Sequence, residues 1–485
     1  MALLLLLGHL LLVSVAVASQ VFLGTPTAYD SDLFLPLEDL DSLSGSKFTT
    51  LKHPEFSSYG VRIKKTRLCD EENGAYTGYI DIEARHLFFY FFESRSNPEN
   101  DDVILWTNGG PGGSSAIGLF VELGPCKIVG KNETRYNPFS WSNHANIIFI
   151  DQPIGTGFSY ADFGETVDTT EAAAIDIAAF LTIFFEHFTK FKGNAFHFAG
   201  ESYAGRMLPV FASTLYDHNA YLKEVGMAPV NLSSVMLGNG YTDVYSMILS
   251  YYDIACTPAS VPPVLSISTC VKMKKIVPRC KKWMTEQCLD SFDAINCRAA
   301  FSYCREKIGG PYARSGMNPY DISKKGCEHD LCYPEIEYMT SFLNLPSTRN
   351  ALGIDPSFTS NFTPVSIAVY DAFDAQMDQY KRTPLHVAAL LEREVRVLVY
   401  AGNYDWVCNW VGNERWTRDM EWSGQEGYGK EVLREWFVDG AKAGVTRSSG
   451  GLTFATIEGG GHMAPMDRPR ESLELVKRWL SGAEL

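Results

Sequence analysis

The sequence contains 485 residues, a length that allows several domains or one large domain with insertions and excludes a single small module. Apolar residues make up 46% of the chain and charged residues 20%, which is the composition of a protein with a packed core rather than of a disordered chain. The formal net charge is −15, so the chain lacks the basic excess expected of a nucleic-acid-binding protein.

The N-terminus predicts entry into the secretory pathway. An apolar run ends in Ala16-Val17-Ala18, the small-x-small pattern after which signal peptidase cleaves, so residues 1–18 are interpreted as a signal peptide. The alternative is an uncleaved membrane anchor, because no basic residue precedes the run. No other run reaches the roughly 18 apolar residues that span a bilayer, so we expect no membrane contact in the mature form. The same route is consistent with three predicted glycosylation sites, Asn132, Asn231 and Asn361.

The cysteines predict an oxidising compartment. There are eleven, and eight of them lie between Cys256 and Cys332. Because the total is odd, at least one thiol has no intramolecular partner. A zinc cluster is an alternative from the counts alone, but no paired C-x-x-C motif occurs, and we expect neither a metal nor another cofactor.

Short apolar runs rich in β-branched and aromatic residues predict strands, and helical patterns lie between them. Their nearly continuous apolarity is typical of strands that are covered on both faces. The predicted strands are 86–92, 103–107, 147–150, 195–199, 235–238, 395–400 and 452–457, and the clearest helices are 170–188 and 470–480. This alternation predicts a mostly parallel central sheet.

Three of these strands are each followed by a side chain suited to nucleophilic catalysis. Ser202 lies in Gly200-Glu201-Ser202-Tyr203-Ala204-Gly205, which is related to the nucleophile elbow although Ala204 replaces its second glycine. Asp405 and His462 follow two later strands, and the chain order Ser, Asp, His predicts an α/β-hydrolase fold. His462 would be the base that activates Ser202, and Asp405 would fix its tautomer. Taken alone, Ser202 is also compatible with a turn serine or a helix N-cap.

A glycine-rich loop, Asn108-Gly109-Gly110-Pro111-Gly112-Gly113, follows the strand 103–107. In this fold, the oxyanion hole combines an N–H group of such a loop with the N–H of the residue after the nucleophile. We therefore predict Gly110 and Tyr203 as the donors. Phosphate binding is the alternative for a glycine-rich loop, but the P-loop ending and the dinucleotide spacing are both absent.

Three segments of the chain resemble the signature segments of the serine carboxypeptidases, the group that includes carboxypeptidase Y and cathepsin A. They are Asn108-Gly109-Gly110-Pro111-Gly112, Gly200-Glu201-Ser202-Tyr203-Ala204-Gly205 and Gly460-Gly461-His462-Met463. The likeness extends from about residue 76 to the C-terminus, and residues 92–95, 151–153 and 408–410 are most similar to carboxypeptidase Y. The resemblance implies removal of single residues from peptide or protein C-termini through an acyl-enzyme.

The resemblance also implies a site for the terminal carboxylate of the substrate. It assigns this role to Asn108, the Gly109 backbone, Glu122 and Glu201. Two carboxyl groups beside a substrate carboxylate cannot all be ionised, so at least one of them has to hold a proton. We therefore expect peptidase activity to be best at acidic pH. The alternative, solvated surface charges, fits poorly because Glu201 adjoins the nucleophile and Glu122 lies among apolar residues.

Residues 241–345 interrupt the alternation of strands and helices and resemble the lid insertion of the family. The family pattern implies four disulfides here, Cys256–Cys270, Cys280–Cys304, Cys288–Cys297 and Cys327–Cys332. It also implies that the side-chain pockets are lined by Tyr251 or Tyr252, Tyr320, Tyr333 and Met463. We therefore expect apolar residues to be preferred on both sides of the cleaved bond.

Three cysteines lie outside that pattern. Cys408 matches a position that is a free thiol near the pocket in carboxypeptidase Y, so we expect mercurials to inhibit the enzyme. Cys69 and Cys126 are then a candidate pair. Gly113 stands where the family usually has a cysteine, and the usual partner near Ser360 is missing too. The rigidity of the oxyanion loop is therefore in question, and Cys69–Cys126 is the candidate substitute for the lost bridge.

The predicted organisation is a hydrolase core at 66–240 and 346–485, with the insertion at 241–345 and an acidic, loop-like arm or pro-segment at 19–65. Acyltransferase or lyase chemistry is the alternative on this fold, and a binding or protective partner with incidental catalysis is another. The carboxylate-binding residues favour a peptidase. The sequence leaves the oligomeric state open. It is compatible with a final location in the vacuole or lysosome as well as in the extracellular space.

Overall fold

The computed structural model describes residues 36–37, 40–70, 73–162 and 165–485. The predicted signal peptide lies outside the described residues. In those ranges the strands are β1 (Thr49–Lys52), β2 (Tyr59–Lys65), β3 (Ala75–Ile82), β4 (Arg85–Phe92), β5 (Val103–Thr107), β6 (Cys126–Gly130), β7 (Glu133–Tyr136), β8 (Asn146–Ile150), β9 (Tyr160–Ala161), β10 (Phe196–Ser202), β11 (Leu232–Gly240), β12 (Arg396–Gly402), β13 (Arg434–Val438), β14 (Ala441–Ser449) and β15 (Leu452–Ile457).

One large sheet organises the molecule, with the strand order β1-β2-β3-β4-β8-β5-β10-β11-β12-β15-β14-β13 and with β9 paired to β4. The neighbours from β8 through β15 in this order are parallel, which confirms the predicted parallel centre. Both flanks are antiparallel. The flanking strands are antiparallel because short turns join them, and a tight hairpin reverses the direction of the chain. For example, Asp439 and Gly440, with φ of 46° and 79°, join β13 to β14.

Helices cover both faces of the sheet and fill the insertion. They are α1 (Thr170–His187), α2 (Ala204–Glu224), α3 (Val244–Cys256), α4 (Ile267–Met284), α5 (Ala294–Cys304), α6 (Gly310–Ala313), α7 (Pro334–Leu343), α8 (Pro346–Leu352), α9 (Ile367–Ala375), α10 (Pro384–Leu391), α11 (Trp410–Asp419), α12 (Gln425–Lys430), α13 (Ala464–Asp467) and α14 (Pro469–Ser481). No helix in the described part of the chain combines the length and apolarity that crossing a bilayer requires.

Each face of the sheet carries its own apolar core. On one face, Phe180 and Phe184 of α1 contact the β4 rings of Phe89 and Phe91, with centroid distances of 5.6 and 5.2 Å. On the opposite face, the core includes Trp479 of α14 and residues of α7. A third core lies inside the insertion. Because the central strands are buried from both sides, apolar side chains occupy both of their faces, as the sequence pattern predicted.

The insertion between β11 and β12 is helical. Residues 241–395 are all described, and they form α3 to α10 with no strand among them. The structure has disulfides at the four pairs that the family pattern implies for this region, Cys256–Cys270, Cys280–Cys304, Cys288–Cys297 and Cys327–Cys332. A fifth disulfide joins Cys69 to Cys126.

The predicted loop-like character of residues 19–65 is wrong for the last part of that segment. Residues 49–65 contain β1 and β2, which extend the antiparallel flank of the sheet. These strands escaped detection because they are rich in polar residues: in β2, Val61 and Ile63 are buried whereas Arg62 and Lys65 are partly exposed. An outer strand of this kind lacks the apolar run that marks a central one.

Candidate active site

Ser202 lies on a sharp turn from strand to helix. It is the last residue of β10, and α2 begins two residues later at Ala204. Its φ of 62° is in the left-handed region, an unfavourable conformation for serine that is typical of a nucleophile elbow. The N-terminus of α2 directs its unpaired N–H groups and the positive end of its dipole toward this turn. A negative charge that develops beside Ser202 is therefore stabilised.

Asp405 and His462 meet next to this turn. Both side chains are buried, and His462 Nδ1 lies 2.7 Å from Asp405 Oδ2. Burial lowers the pKa of His462, but the charge and hydrogen bond of Asp405 raise it more, and the net pKa is above the usual value. An imidazole held through Nδ1 keeps Nε2 free to accept a proton.

Asn239 is a member of this group that the sequence analysis missed. Its Nδ2 donates to Asp405 Oδ2 at 2.8 Å, and its Oδ1 accepts from the Gly402 N–H at 3.1 Å. The amide therefore fixes the carboxylate against the end of β12. A signal was present, because Asn239 is a polar residue near the carboxyl end of β11, beside the strand that leads to Asp405.

The glycine-rich loop packs directly onto the elbow. A Cβ atom on Gly109 would lie 2.3 Å from the Tyr203 nitrogen and 2.7 Å from Ser202 Cβ, so no larger residue fits there. Gly110 has a φ of 116°, which only glycine adopts readily. The loop backbone and the Tyr203 N–H are therefore brought together around Ser202, as an oxyanion hole requires.

Backbone hydrogen bonds hold this loop where the family disulfide is missing. The Ser114 N–H donates to the Pro364 carbonyl at 2.9 Å, and the Ser366 N–H donates to the Gly112 carbonyl at 2.8 Å. Gly113 and Val365 thus form a β-bridge between the loop and the segment that leads into α9. The pairing supplies a constraint on the loop itself, whereas Cys69–Cys126 is attached beyond it, at the start of β6.

Tyr203 is anchored through its side chain as well. Its hydroxyl donates to Asp378 Oδ2 at 2.7 Å, and this buried carboxylate also accepts from the Thr170 hydroxyl at 2.6 Å. Arg206 donates to the Asp378 carbonyl at 3.0 Å and to its carboxylate at 3.3 Å. Asp378 therefore ties the residue after Ser202 to the segment between α9 and α10.

Asn108, Glu122 and Glu201 form a buried polar cluster beside Ser202. Asn108 Nδ2 donates to Glu201 Oε1 at 3.0 Å and to Glu122 Oε1 at 3.2 Å. Its Oδ1 accepts from Trp106 Nε1 at 2.8 Å and from the Gly118 N–H at 2.9 Å, which fixes the orientation of the amide. The three residues are 1% to 4% exposed, so neither carboxyl group is a solvated surface charge.

The two carboxyl groups of this cluster favour the protonated form. Burial raises the pKa of Glu122 to about 7. Burial and the neighbouring Glu122 carboxyl raise the pKa of Glu201 well above its usual value. Below about pH 7 the cluster therefore holds at least one proton, which it can donate to an anionic ligand.

Cys408 is the free cysteine of the described chain, and it is buried beside Ser202. Its thiol hydrogen-bonds with the Ser202 side chain, and burial, together with Asp405 and Glu201, raises the thiol pKa well above the usual value. Atoms of Asp405, Cys408 and His462 that could bind a metal lie within 4.8 Å of one another. This is a poor metal site, because the thiol stays protonated and the imidazole Nδ1 already bonds to Asp405.

A cavity of about 640 Å³ opens from Ser202. Its lining includes both predicted oxyanion residues, Gly110 and Tyr203, together with Tyr251 and Cys408. Much of the wall is aromatic, and Trp406 stacks between Tyr251 and Tyr312 with centroid distances of 4.2 and 4.3 Å. The cavity is large enough for a side chain of any size.

The other predicted pocket residues do not line this cavity. Tyr320 lies 5.1 Å from the His462 ring, and the Met463 N–H donates to the Tyr333 hydroxyl at 3.5 Å, so these three residues group around the histidine instead. Tyr252 lines a separate cavity. Tyr251 and Tyr252 are consecutive in α3, so they point about 100° apart and only Tyr251 reaches the Ser202 cavity.

The three predicted glycosylation sites are at the surface. Asn132, Asn231 and Asn361 are all exposed. Asn132 lies in the turn between β6 and β7, and Asn231 directly precedes β11. Their positions leave room for a glycan.

Comparison with known proteins identifies the family. A family model described as serine carboxypeptidase matches residues 69–482. The chain belongs to the serine carboxypeptidase family. It is 41% identical over 435 residues to carboxypeptidase Y homolog A of Phaeosphaeria nodorum, covering 88% of this chain and 78% of the relative. It is 42% identical over 430 residues to carboxypeptidase Y of Candida albicans, covering 88% of this chain and 77% of the relative.

A solved structure supports the fold of this serine carboxypeptidase. The chain superimposes on Kex1(Δ)p, a prohormone-processing carboxypeptidase from Saccharomyces cerevisiae, with a TM-score of 0.71 and 21% identity, over 84% of this chain and 91% of that one. The α/β-hydrolase fold is thereby confirmed, and the predicted serine-type carboxypeptidase activity on peptides is confirmed by the family and its relatives. Its five disulfides are consistent with the secretory pathway.

Proposed function

We propose that Ser202, His462 and Asp405 are the catalytic triad of this carboxypeptidase. Ser202 Oγ attacks the carbonyl carbon of the last peptide bond while its proton passes to His462 Nε2. Asp405 stabilises the resulting imidazolium through Nδ1. The proton then goes to the leaving amine, and the C-terminal residue departs. Water, activated by the same histidine, hydrolyses the acyl-enzyme and returns Ser202 to its starting state.

We assign the oxyanion hole to the N–H groups of Gly110 and Tyr203. Both groups lie on backbone that is fixed before substrate arrives, by the β-bridge at Gly113 and by the Tyr203 hydroxyl bond to Asp378. A preorganised donor is most effective in catalysis, because it does not have to reorient when the negative charge develops.

The exopeptidase specificity rests on one observation, the buried cluster of Asn108, Glu122 and Glu201 beside the nucleophile. We propose that this cluster and the Gly109 N–H bind the C-terminal carboxylate of the substrate. Asn108 donates a hydrogen bond, and the protonated carboxyl pair donates another. This arrangement favours a peptidase that removes one residue at a time over an acyltransferase or a lyase.

Substrates with and without a free carboxylate test this proposal. For an N-blocked dipeptide at pH 6, we expect kcat/KM to fall by about 100-fold when the C-terminus is amidated, because buried donors then lose an anionic partner. The matched substrate pair is measured on the same purified enzyme, with mass spectrometry to identify the released residue. Equal rates for the two dipeptides, or release of internal fragments, would exclude carboxylate recognition by the cluster.

The pH dependence tests the carboxyl pair. Glu122 loses its proton near its raised pKa of about 7, while Glu201, whose pKa is also raised, keeps its own. Above pH 7 the pair therefore carries a negative charge that opposes the substrate carboxylate. The ratio of peptide kcat/KM to that of an ester without a free carboxylate should fall roughly tenfold between pH 6 and pH 8. In Glu122→Gln, the amide stays neutral and remains a donor at all pH values, and we expect the fall to shrink to about threefold or less. The acid limb, set by His462, should be the same in both enzymes.

An ester substrate with no free carboxylate is the control for this experiment. Its hydrolysis does not use the pair, so its kcat/KM should show no fall above pH 7 in either enzyme. An alkaline limb that is unchanged in Glu122→Gln contradicts the assignment.

We further propose a preference for apolar residues on both sides of the cleaved bond, an acidic working pH, and glycosylation at Asn132, Asn231 and Asn361. The aromatic wall of the Ser202 cavity supports an apolar preference for the side chain that enters it. The raised pKa values of the carboxyl pair support the acidic working pH, and the raised pKa of His462 sets its lower limit. An acidic working pH fits a vacuolar or lysosomal destination better than a neutral extracellular one.

A further inference from the structure

One arginine in the wall of the Ser202 cavity has no acidic partner. Arg305 follows α5, and its Nη2 donates to the Tyr241 hydroxyl at 3.2 Å and to Gln379 Oε1 at 3.4 Å. Both of these acceptors are neutral and line the same cavity. Arg305 makes no ion pair with any acidic side chain of the described residues. A positive charge therefore faces the cavity without being neutralised.

The acidic side chains of the same wall are already paired. Glu306 Oε1 lies 2.9 Å from Arg314, and Asp374 Oδ2 lies 3.2 Å from Arg298. Gln379 Nε2 also donates to Asp374 at 2.9 Å. Arg314 and Arg298 are not part of the cavity lining, so they neutralise the two acids from outside. The wall therefore presents one net positive charge to a ligand, that of Arg305.

Relative to the proposed carboxylate-binding cluster, the cavity lies on the acyl side of the cleaved bond. It is lined by Ser202 and by both oxyanion residues but by none of Asn108, Glu122 and Glu201. The C-terminal residue of the substrate is held by its carboxylate at that cluster. The side chain of the penultimate residue, whose carbonyl Ser202 attacks, is then the one that enters the cavity.

We propose that Arg305 is a specificity-determining residue, which selects acidic side chains over neutral or basic polar ones at the penultimate position of the peptide. The aromatic walls contact the methylene stem of the side chain, and the guanidinium of Arg305 binds its carboxylate. The inference rests on the proposed function, because it uses the acyl side defined by the carboxylate-binding cluster. It adds a charge preference to a pocket that is otherwise apolar.

Isosteric substrates test the proposal. N-blocked dipeptides with Glu, Gln or Lys before a C-terminal Leu are compared at pH 6.5, where the glutamate side chain is ionised. In the wild-type enzyme we expect kcat/KM for Glu to exceed that for Gln by about five- to tenfold, a modest ratio because the guanidinium is partly solvated. Arg305→Gln should bring the ratio to about one, and Arg305→Glu should make Lys the preferred residue.

Lys307→Gln is the matched control, because Lys307 lies in the same helical turn and carries the same charge but does not line the cavity. It should keep the wild-type Glu to Gln ratio. A second series varies the C-terminal residue instead, and there Arg305→Gln should change no ratio. The proposal is overturned if the wild-type ratio is near one, if Lys307→Gln changes it as much as Arg305→Gln does, or if only the second series responds.

Failure of the carboxylate-binding proposal and failure of the Arg305 proposal give different results. If the carboxylate cluster is misassigned, the amidated dipeptide is cleaved as fast as the free one. If only the role of Arg305 is wrong, the free dipeptides are still preferred and the penultimate series is unaffected by the Arg305 variants.

Discussion

Replacing Ser202 by alanine is expected to lower kcat for peptide hydrolysis by about a millionfold, to the residual level that binding and the oxyanion hole sustain. The effect is large because no other side chain can replace Ser202 as the nucleophile that forms the acyl-enzyme. The neighbouring Cys408 thiol is buried and its pKa is raised well above the usual value, so it is not ionised. Substrate binding should persist, since the cluster at Asn108 is untouched. Hydrolysis of an N-blocked dipeptide and labelling by a fluorophosphonate probe measure the change.

Ser302→Ala is the matched control for this experiment. Ser302 lies in the wall of the same cavity and is exposed, so the same substitution there should leave labelling and kcat within about twofold of wild type. Isothermal titration should give Ser202→Ala a dissociation constant for the dipeptide in the range of the wild-type KM. Labelling of Ser202→Ala at the wild-type rate would mean that another residue is the nucleophile.

Asp405→Asn is expected to lower kcat by about 10⁴-fold while the enzyme stays folded. The Asp405 carboxylate oxygen that binds His462 also accepts a hydrogen bond from Asn239, so two donors converge on it. An amide in its place either turns an NH₂ group toward these donors or keeps the bonds and loses the charge. The first orientation enforces the wrong tautomer, and both leave the imidazolium without a counter-charge.

The pH profile separates this effect from simple misfolding. Asp405 raises the pKa of His462 in the wild-type enzyme, and the base has to be neutral to act. Removing the charge lowers the pKa of His462, so the residual activity of Asp405→Asn should extend to lower pH than wild-type activity does. Asp371→Asn, at an exposed site in α9, is the control and should change neither kcat nor the profile. A fall of less than tenfold, or an acid limb that stays in place, contradicts the role of Asp405.

The proximity of the three proposed triad residues could be predicted from their positions after strands. Ser202, Asp405 and His462 each follow a buried strand, and parallel strands bring such positions to one edge of the sheet. Asn239 obeys the same rule, because it lies next to the carboxyl end of β11. Glycine-rich sequence likewise predicted a close approach of backbone, which the Gly109 contacts show.

Long-range pairing was harder to predict from the sequence. The polar strands β1 and β2 were missed because their partners, not their composition, make them strands. The β-bridge of Gly113 with Val365 joins segments about 250 residues apart, and no local pattern marks it. Likewise, nothing in the sequence distinguishes Tyr251 from Tyr252 without the phase of α3. Arg305 was overlooked for the same reason, because its significance depends on which charges lie around it in space.

The stretch from Pro364 to Asp378 has a consequence for how this enzyme can change over evolution or by design. It holds the oxyanion loop through its backbone at one end and Tyr203 through the Asp378 carboxylate at the other. Exchanging this stretch to alter substrate preference would therefore also loosen the backbone of Gly110 and Tyr203, the two donors that we propose for the oxyanion hole. Arg305, although it lines the same cavity, makes its hydrogen bonds to Tyr241 and Gln379 and none to the oxyanion loop or Tyr203. Selectivity is thus free to diverge at Arg305, while residues 364–378 are constrained by the bonds that hold the catalytic backbone.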